Sequence, residues 1–202
     1  MKDLVTAQDV QAVPPGAEIA TSPGAIVTPW AREVAAARGV RIVTASPGSE
    51  GAAAVVALGA DHGGYALKEA LKPALQRLGW RFLDLGTFST DPVDYPDLAL
   101  AVARAVRERR ARLGIVVDGA GIGSAMAANK VPGIRAATCH DVASAKNARE
   151  HNDANVLSLG ARFVDPARAA EVVEAFLVSA CTEERHARRV GKIIAIEEKY
   201  AR

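Results

Sequence analysis

The residues with the most chemical potential lie in one stretch, residues 113–130, LGIVVDGAGIGSAMAANK. Leu113 to Val117 is a short apolar, β-branched run, the pattern of a buried strand. Gly119, Gly121 and Gly123 follow at alternate positions, so the spacing predicts a strand, a glycine turn and a helix start. Glycines admit positive φ and let a ligand approach main-chain N–H groups closely. A helix start adds free N–H groups and the positive end of its dipole, which favour an anion or a developing oxyanion. Asp118 is the one ionisable group in the turn. It sits at the carboxyl end of the strand, where ligands bind in open parallel sheets. The same GxGxG pattern also occurs in plain tight turns and in dinucleotide folds. The dinucleotide version wants GxGxxG and an acid roughly 20 residues on. Here the third glycine comes one residue early, and Asp141 follows Cys139-His140 rather than clearly capping a strand, so a dinucleotide ranks low.

Other ligand-like groups gather at predicted strand ends. Asp61 and His62 follow a first strand, His140 and Asp141 a fourth, and Arg162 a fifth. Each has an ordinary reading too. His62 serves equally well as a helix cap, and His151, in His-Asn-Asp, as a hydrogen-bonding loop residue. Arg185 and Arg189, one helical turn apart, fit a solvated helix face. His140 and His186 read as structural or peripheral. No His/Cys/Asp/Glu set has metal-ligand spacing, so no metal site is expected.

The elements that must position these groups follow from pattern. Residues 1–50 differ from the rest and hold half of the chain's 10 prolines. They read as an N-terminal extension with a helix over 30–38, capped by Thr28 with Pro29 first, a short strand over 40–43, and a linker over 45–53. Residues 51–202 read as the main domain, with strands over 55–59, 81–85, 113–117, 135–139 and 156–159. Between and after them come helices over 66–78, 98–110, 124–130, 141–150 (capped by Asp141), 166–179 and 185–200. Residues 86–96 and 151–153 read as loops. Five strands alternating with helices predict an α/β fold, a parallel sheet with helices on both faces.

Composition bounds the function classes. The chain has 202 residues, half of them apolar, enough for one α/β domain and an appendage. Its formal charge of +2 gives no reason to expect nucleic acid or a membrane surface as partner. Cys139 and Cys181 have no motif spacing. With no secretory pattern at the N-terminus and no apolar run long enough for a bilayer, reduced thiols in a cytoplasmic protein are expected.

Several separate motifs, GADHGGYALK (59–68), DYP (94–96), DGAGIGSAMAANK (118–130), IRAA (134–137), REHNDANVLSLGAR (149–162) and RHARRV (185–190), occur in one order. Over about three-quarters of the chain they make it similar to the type B ribose-5-phosphate isomerase family, which also includes galactose-6-phosphate isomerase subunits. The resemblance implies a Rossmann-like three-layer α/β/α sandwich with a five-stranded parallel sheet. It also implies a cofactor-free aldose–ketose isomerase acting through a cis-enediolate, and a homodimer or dimer of dimers with active sites shared between subunits. By resemblance, Asp61 and His62 contact the substrate, His62 near the phosphate. Tyr95 and the turn residues Gly119, Ala120, Gly121, Ile122 and Gly123 line it. His151 is the ring-opening acid/base, and Asn152 binds a hydroxyl. Arg162, Arg185 and Arg189 hold the phosphate, some of them across the dimer interface. A shorter stretch, PPGAEIATSPGAIVTPWAREVAAARGVRIV, resembles a segment on enzymes of bacterial microcompartments, which would place the protein or its partners at such a shell; a packing appendage or dimer arm is the plainer reading.

The departures from the family pattern carry as much information. Many members have a cysteine base where this chain has Asp118, and another branch has a glutamate base where it has Ser124. The family's hydroxyl residue two places after the base is Ala120 here. Carboxylates abstract protons beside carbonyls in other isomerases, so Asp118 is the expected base, on ribose 5-phosphate in the first instance. An isomerase of a tetrose or hexose phosphate, and a sugar-phosphate-binding protein without turnover, stay open at this point.

Overall fold

The computed structural model describes residues 2–44 and 55–200; the 45–53 linker expectation lies outside them. The chain divides into two compact units, Met1–Ala52 and Ala53–Arg202.

The first unit is a small β-α-β-α-β fold of β1 (Lys2–Val5), α1 (Ala7–Gln11), β2 (Glu18–Val27), α2 (Pro29–Arg38) and β3 (Arg41–Thr44), with a parallel sheet in the order β1-β2-β3. Val5, Val10, Ile19, Ala31, Ala35 and Val40 form its own core. The expected α2 and β3 are present, and Thr28 caps α2 by accepting the Ala31 N–H at 3.2 Å. β1, α1 and β2 had no sequence signal strong enough to show. In β2, Pro23 and Gly24 interrupt the apolar pattern, and proline has no N–H for a ladder. The β1–β2 register slips there: Lys2 pairs with Thr21, but Leu4 pairs with Ile26. The stretch that resembles a microcompartment segment is thus the β2-α2-β3 part of a folded unit.

The second unit holds a five-stranded parallel sheet, ordered β5-β4-β6-β8-β7, of β4 (Val55–Ala60), β5 (Arg81–Asp84), β6 (Leu113–Asp118), β7 (Ala136–Thr138) and β8 (Val156–Gly160). The connecting helices are α3 (Tyr65–Arg77), α4 (Tyr95–Arg107), α5 (Ile122–Ala128), α6 (Val142–Asn152), α7 (Pro166–Val178) and α8 (Glu184–Tyr200). Two apolar clusters lie against the sheet. One contains Leu58, Leu71, Ile115, Leu157 and Phe176, the other Ala57, Val102, Val116 and Val156. Adjacent residues of one strand fall in different clusters, as alternation across a sheet covered on both faces requires. The architecture is the expected α/β sandwich.

The order places a switch point between β4 and β6: the chain leaves β4 for β5 on one side and then crosses to β6 on the other. In such sheets ligands bind at the carboxyl ends of the strands flanking that point. The Asp61–Gly64 turn and the Asp118–Gly121 turn meet there. Gly64 lies so close to β6 that a Cβ on it would sit 2.3 Å from the Val117 carbonyl oxygen. Gly64→Ala must push the two turns apart. We expect a loss of about 1–3 kcal/mol from such overpacking, read as a lower urea midpoint; an unchanged midpoint would show that the close approach is unimportant.

Candidate active site

Asp118 closes β6 with its side chain folded over the turn that follows. Its Oδ1 accepts the Ala120 N–H at 2.7 Å and also the Gly121 N–H. Its Oδ2 accepts the Ser124 N–H at 3.0 Å. The carboxylate is 5% exposed. Gly121 is the N-cap of α5 with φ +76, a left-handed conformation that glycine takes without strain, and this brings its N–H round to Asp118. The anion that the glycine turn was expected to attract is therefore supplied first by the chain itself. This corrects one expectation. Three N–H groups of the turn are spent on Asp118 and are not free for an oxyanion; those of Ile122 and Gly123 carry no hydrogen bond to the described protein.

Around this turn stands a first group of the expected site residues. Asp61, buried at the end of β4, accepts the Gly64 N–H at 2.8 Å, and its main-chain N–H donates to Val117 O at 3.1 Å. The exposed His62 has Nδ1 3.3 Å from Val93 N and 3.2 Å from Val93 O. The Arg162 guanidinium lies over Gly119, with Nε 3.5 Å from where a Cβ would stand. The Tyr95 ring lies on Gly123, where a Cβ would come within 2.6 Å of Cε2 and Cζ. Tyr95 is not in a loop, as the sequence suggested: it is the first residue of α4, because Asp94 and Pro96 start the helix three residues early.

A second group lies elsewhere in the unit. His151 and Asn152 were expected in a polar loop but form the last turn of α6, which ends at Asp153 in a left-handed conformation. α6 follows β7 and precedes β8, and those strands are parallel, so the helix runs back from the carboxyl edge of the sheet to the amino edge. Its 11 residues span about 16 Å. That carries His151 and Asn152 to the edge opposite Asp118. There His151 meets the start of α8, where Arg185 donates to Glu183 at 3.0 Å. A small cavity of about 150 Å³ is lined by Glu150, His151, Thr182, Glu183, Arg185 and His186. Arg189 is exposed one turn along α8. The structure therefore brings Asp61, His62, Tyr95, residues 119–123, Asp118 and Arg162 to one edge, and His151, Asn152, Arg185 and Arg189 to the other.

Sequence reasoning passed over three residues. Lys68 is fully buried in α3. Its Nζ donates to both Asp84 oxygens at 2.8 and 2.9 Å and to Thr87 O at 2.7 Å. Burial pushes Asp84 up, but Lys68 and Lys72 more than offset it, so its carboxyl lies below the usual range. This pair anchors the start of the loop that ends at Val93, the residue holding His62. His186, read from the sequence as structural or peripheral, is buried and stacks on His151 with centroids 4.0 Å apart. Asn147 sits 3.1 Å from His151 Nδ1. The motif GADHGGYALK ends in Lys68, and RHARRV contains His186, so membership of a motif was the available signal. Of the cysteines, Cys139 is buried, and burial pushes its thiol to about 11. Among the described residues no group of three or more His, Cys, Asp or Glu is placed to hold a metal, and no helix is long and apolar enough to cross a membrane.

Residues 56–193 match the Ribose/Galactose Isomerase family model. A putative sugar phosphate isomerase of Bacillus subtilis is 42% identical over 145 residues, covering 71% of this chain and 97% of that protein. Ribose-5-phosphate isomerase B of Escherichia coli is 41% identical over 144 residues, covering 71% and 97%. The structure of ribose-5-phosphate isomerase B from Clostridium thermocellum superposes with a TM-score of 0.71 at 47% identity, covering 73% of this chain and 99% of that one. All three alignments span the second unit in length and leave the share of an N-terminal unit unmatched.

Asp118→Asn tests the clamp itself. The asparagine oxygen can still accept from Ala120 and Gly121, but its amide group must meet the Ser124 N–H donor against donor. The expected cost is about 1–3 kcal/mol, measured by urea unfolding of the full chain; no change would show that Asp118 does not hold the turn.

Proposed function

The chain belongs to the ribose/galactose isomerase family, and on that footing we propose that it converts ribose 5-phosphate to ribulose 5-phosphate through a cis-enediolate, with Asp118 as the base. The relatives named above supply the substrate class. What supports the base within this chain is the position of Asp118: a buried carboxylate at the switch-point crevice, beside Asp61, His62 and Arg162.

The steps follow from the groups present. The furanose ring opens first, with His151 acting at the ring oxygen or the anomeric hydroxyl. The open aldose then presents the C–H next to its carbonyl. Asp118 Oδ2, which accepts a single N–H, has a lone pair left to take that proton and return it to the neighbouring carbon. The negative charge that develops on the oxygens is met by the N–H groups of Ile122 and Gly123, the donors Asp118 leaves over. Arginine forks suit the phosphate. Arg162 stands at the Asp118 edge, Arg185 and Arg189 at the other.

One chain carries these groups on opposite edges of its sheet, and a pentose phosphate cannot bridge them. A site completed by a second copy resolves this, with Asp118, Asp61, His62 and Arg162 from one subunit and His151, Asn152, Arg185 and Arg189 from its partner. Exposed apolar residues of α8, Ile193, Ile196 and Tyr200, beside a groove of about 730 Å³ that also includes Pro132 and Ile134, support association, since a lone helix gains nothing from leaving such a strip in water.

The test pairs two variants. Asp118→Asn should lose at least about a hundredfold in turnover and in deuterium uptake from ²H₂O at the carbon beside the carbonyl, while still binding a non-reacting pentonate 5-phosphate. His151→Ala should convert ring-closed aldose slowly yet still exchange ketose protons with solvent. After the two variants are unfolded together and refolded, mixed dimers hold one intact site, and conversion of ring-closed aldose should return to about a quarter of wild type. No recovery would place each site within one chain. Affinity without deuterium uptake in the wild type would make it a binding protein.

A further inference from the structure

Resting on the reading of His151 as the ring-opening group, we propose that Asn147 and His186 are positioning residues that hold the His151 imidazole in one plane and one tautomer, with its hydrogen on Nε2. Asn147 and His151 are one turn apart on α6 and so share a face. Asn147 Nδ2 lies 3.1 Å from His151 Nδ1. The amide is turned that way by a second contact: Asn152 Nδ2 reaches Asn147 Oδ1 at 3.5 Å and Asn147 O at 3.4 Å. The Asn147 oxygen faces Asn152, its NH₂ faces the imidazole, and Nδ1 accepts. In a neutral imidazole the other nitrogen then carries the hydrogen.

His186 fixes the plane. Its ring is 12° from parallel with that of His151 at a centroid distance of 4.0 Å. His186 is 3% exposed, whereas His151 is exposed, so the buried ring is the floor and the exposed ring lies on it. His186 Nδ1 is buried with no hydrogen-bond partner among the described residues. Burial, reinforced by His151 and Arg185, lowers its pKa, the direction that disfavours two imidazolium rings stacked at this separation. The other charges facing the pair are Glu150 of α6, Glu183 before α8, and Arg185 and Arg189 of α8. Glu183 is engaged by Arg185.

The consequence is a role for His151 more specific than acid or base. In that tautomer Nε2–H hydrogen-bonds the ring oxygen as its C–O bond breaks, while the anomeric hydroxyl gives its proton to water and water returns one to the ring oxygen. A hydrogen on Nδ1 would face the Asn147 amide hydrogens, so the Nδ1–H tautomer requires Asn147 to turn.

Long-range ¹H–¹⁵N correlation on the full chain, labelled in its 4 histidines, reads the tautomer directly, with His151 assigned by its absence in His151→Gln. We expect hydrogen on Nε2 in the wild type and a mixture of tautomers in Asn147→Ala. That variant should slow aldose-to-ketose conversion about three- to tenfold, the worth of one hydrogen bond, and leave ketose–solvent deuterium exchange unchanged. His186→Phe should keep the wild-type tautomer, and His186→Ala should lose it. A wild type with hydrogen on Nδ1, an Asn147→Ala spectrum like the wild type, or an equal loss of conversion and exchange in Asn147→Ala would each overturn the proposal. The expected tautomer change in a chain that turns over no sugar phosphate would support the positioning and overturn the isomerase reading.

Discussion

A buried carboxylate held by the main-chain N–H groups of its own turn is the constraint from which the rest of this site follows. Asp118 cannot leave β6, and Gly121, Ala120 and Ser124 are folded round it. The turn has its shape because the carboxylate fills it, and the carboxylate tolerates burial because the turn satisfies it. A thiol at this position could not accept three such bonds with equal strength, so the shape of the turn is tied to the carboxylate. This also fixes what the loop can still offer a ligand: the first-turn N–H groups that the aspartate does not use.

The second constraint is topological. In a parallel sheet every strand presents its carboxyl end on the same edge, and every connecting helix returns to the other. Groups at strand ends, such as Asp61, Asp118 and Arg162, are gathered by that rule. Groups at helix ends, such as His151 and Asn152, are sent away by it. The reaction proposed above needs both sets and so needs two edges, and on that proposal a second copy of the chain supplies the second. The α6–α8 contact makes the far edge more than a collection of exposed polar groups, since His186 and Asn147 give His151 a defined setting there.

Much of the fold was legible because the signals were local. Apolar runs such as residues 113–117 marked the strands, and Asp141 and Thr28 capped helices where expected, Asp141 by accepting the Ser144 N–H at 2.7 Å. That Asp61, Asp118 and Arg162 meet at one edge of the sheet was legible for the same reason: strand ends are visible in sequence. What was not legible depended on three dimensions. Polarity placed His151 and Asn152 in a loop, but a helix end packed on α8 absorbs them. Asp94-Tyr95-Pro96 looked like a turn, although Pro is equally at home at a helix start. Lys68 was visible only as the last residue of a motif, and only the fold shows Asp84 and Thr87 accepting from it. The direction of the Asp118 side chain, which decides which N–H groups of the turn are engaged, has no sequence signature at all.

A crystal structure of the protein with an acyclic pentose 5-phosphate tests the central claim most directly. The account predicts an oxygen of Asp118 in van der Waals contact with the carbon beside the carbonyl. It also predicts Arg162 of that subunit on the same ligand, together with His151, Arg185 and Arg189 of the second copy. A ligand whose reacting carbons lie away from Asp118, or whose contacts all come from one chain, would contradict it.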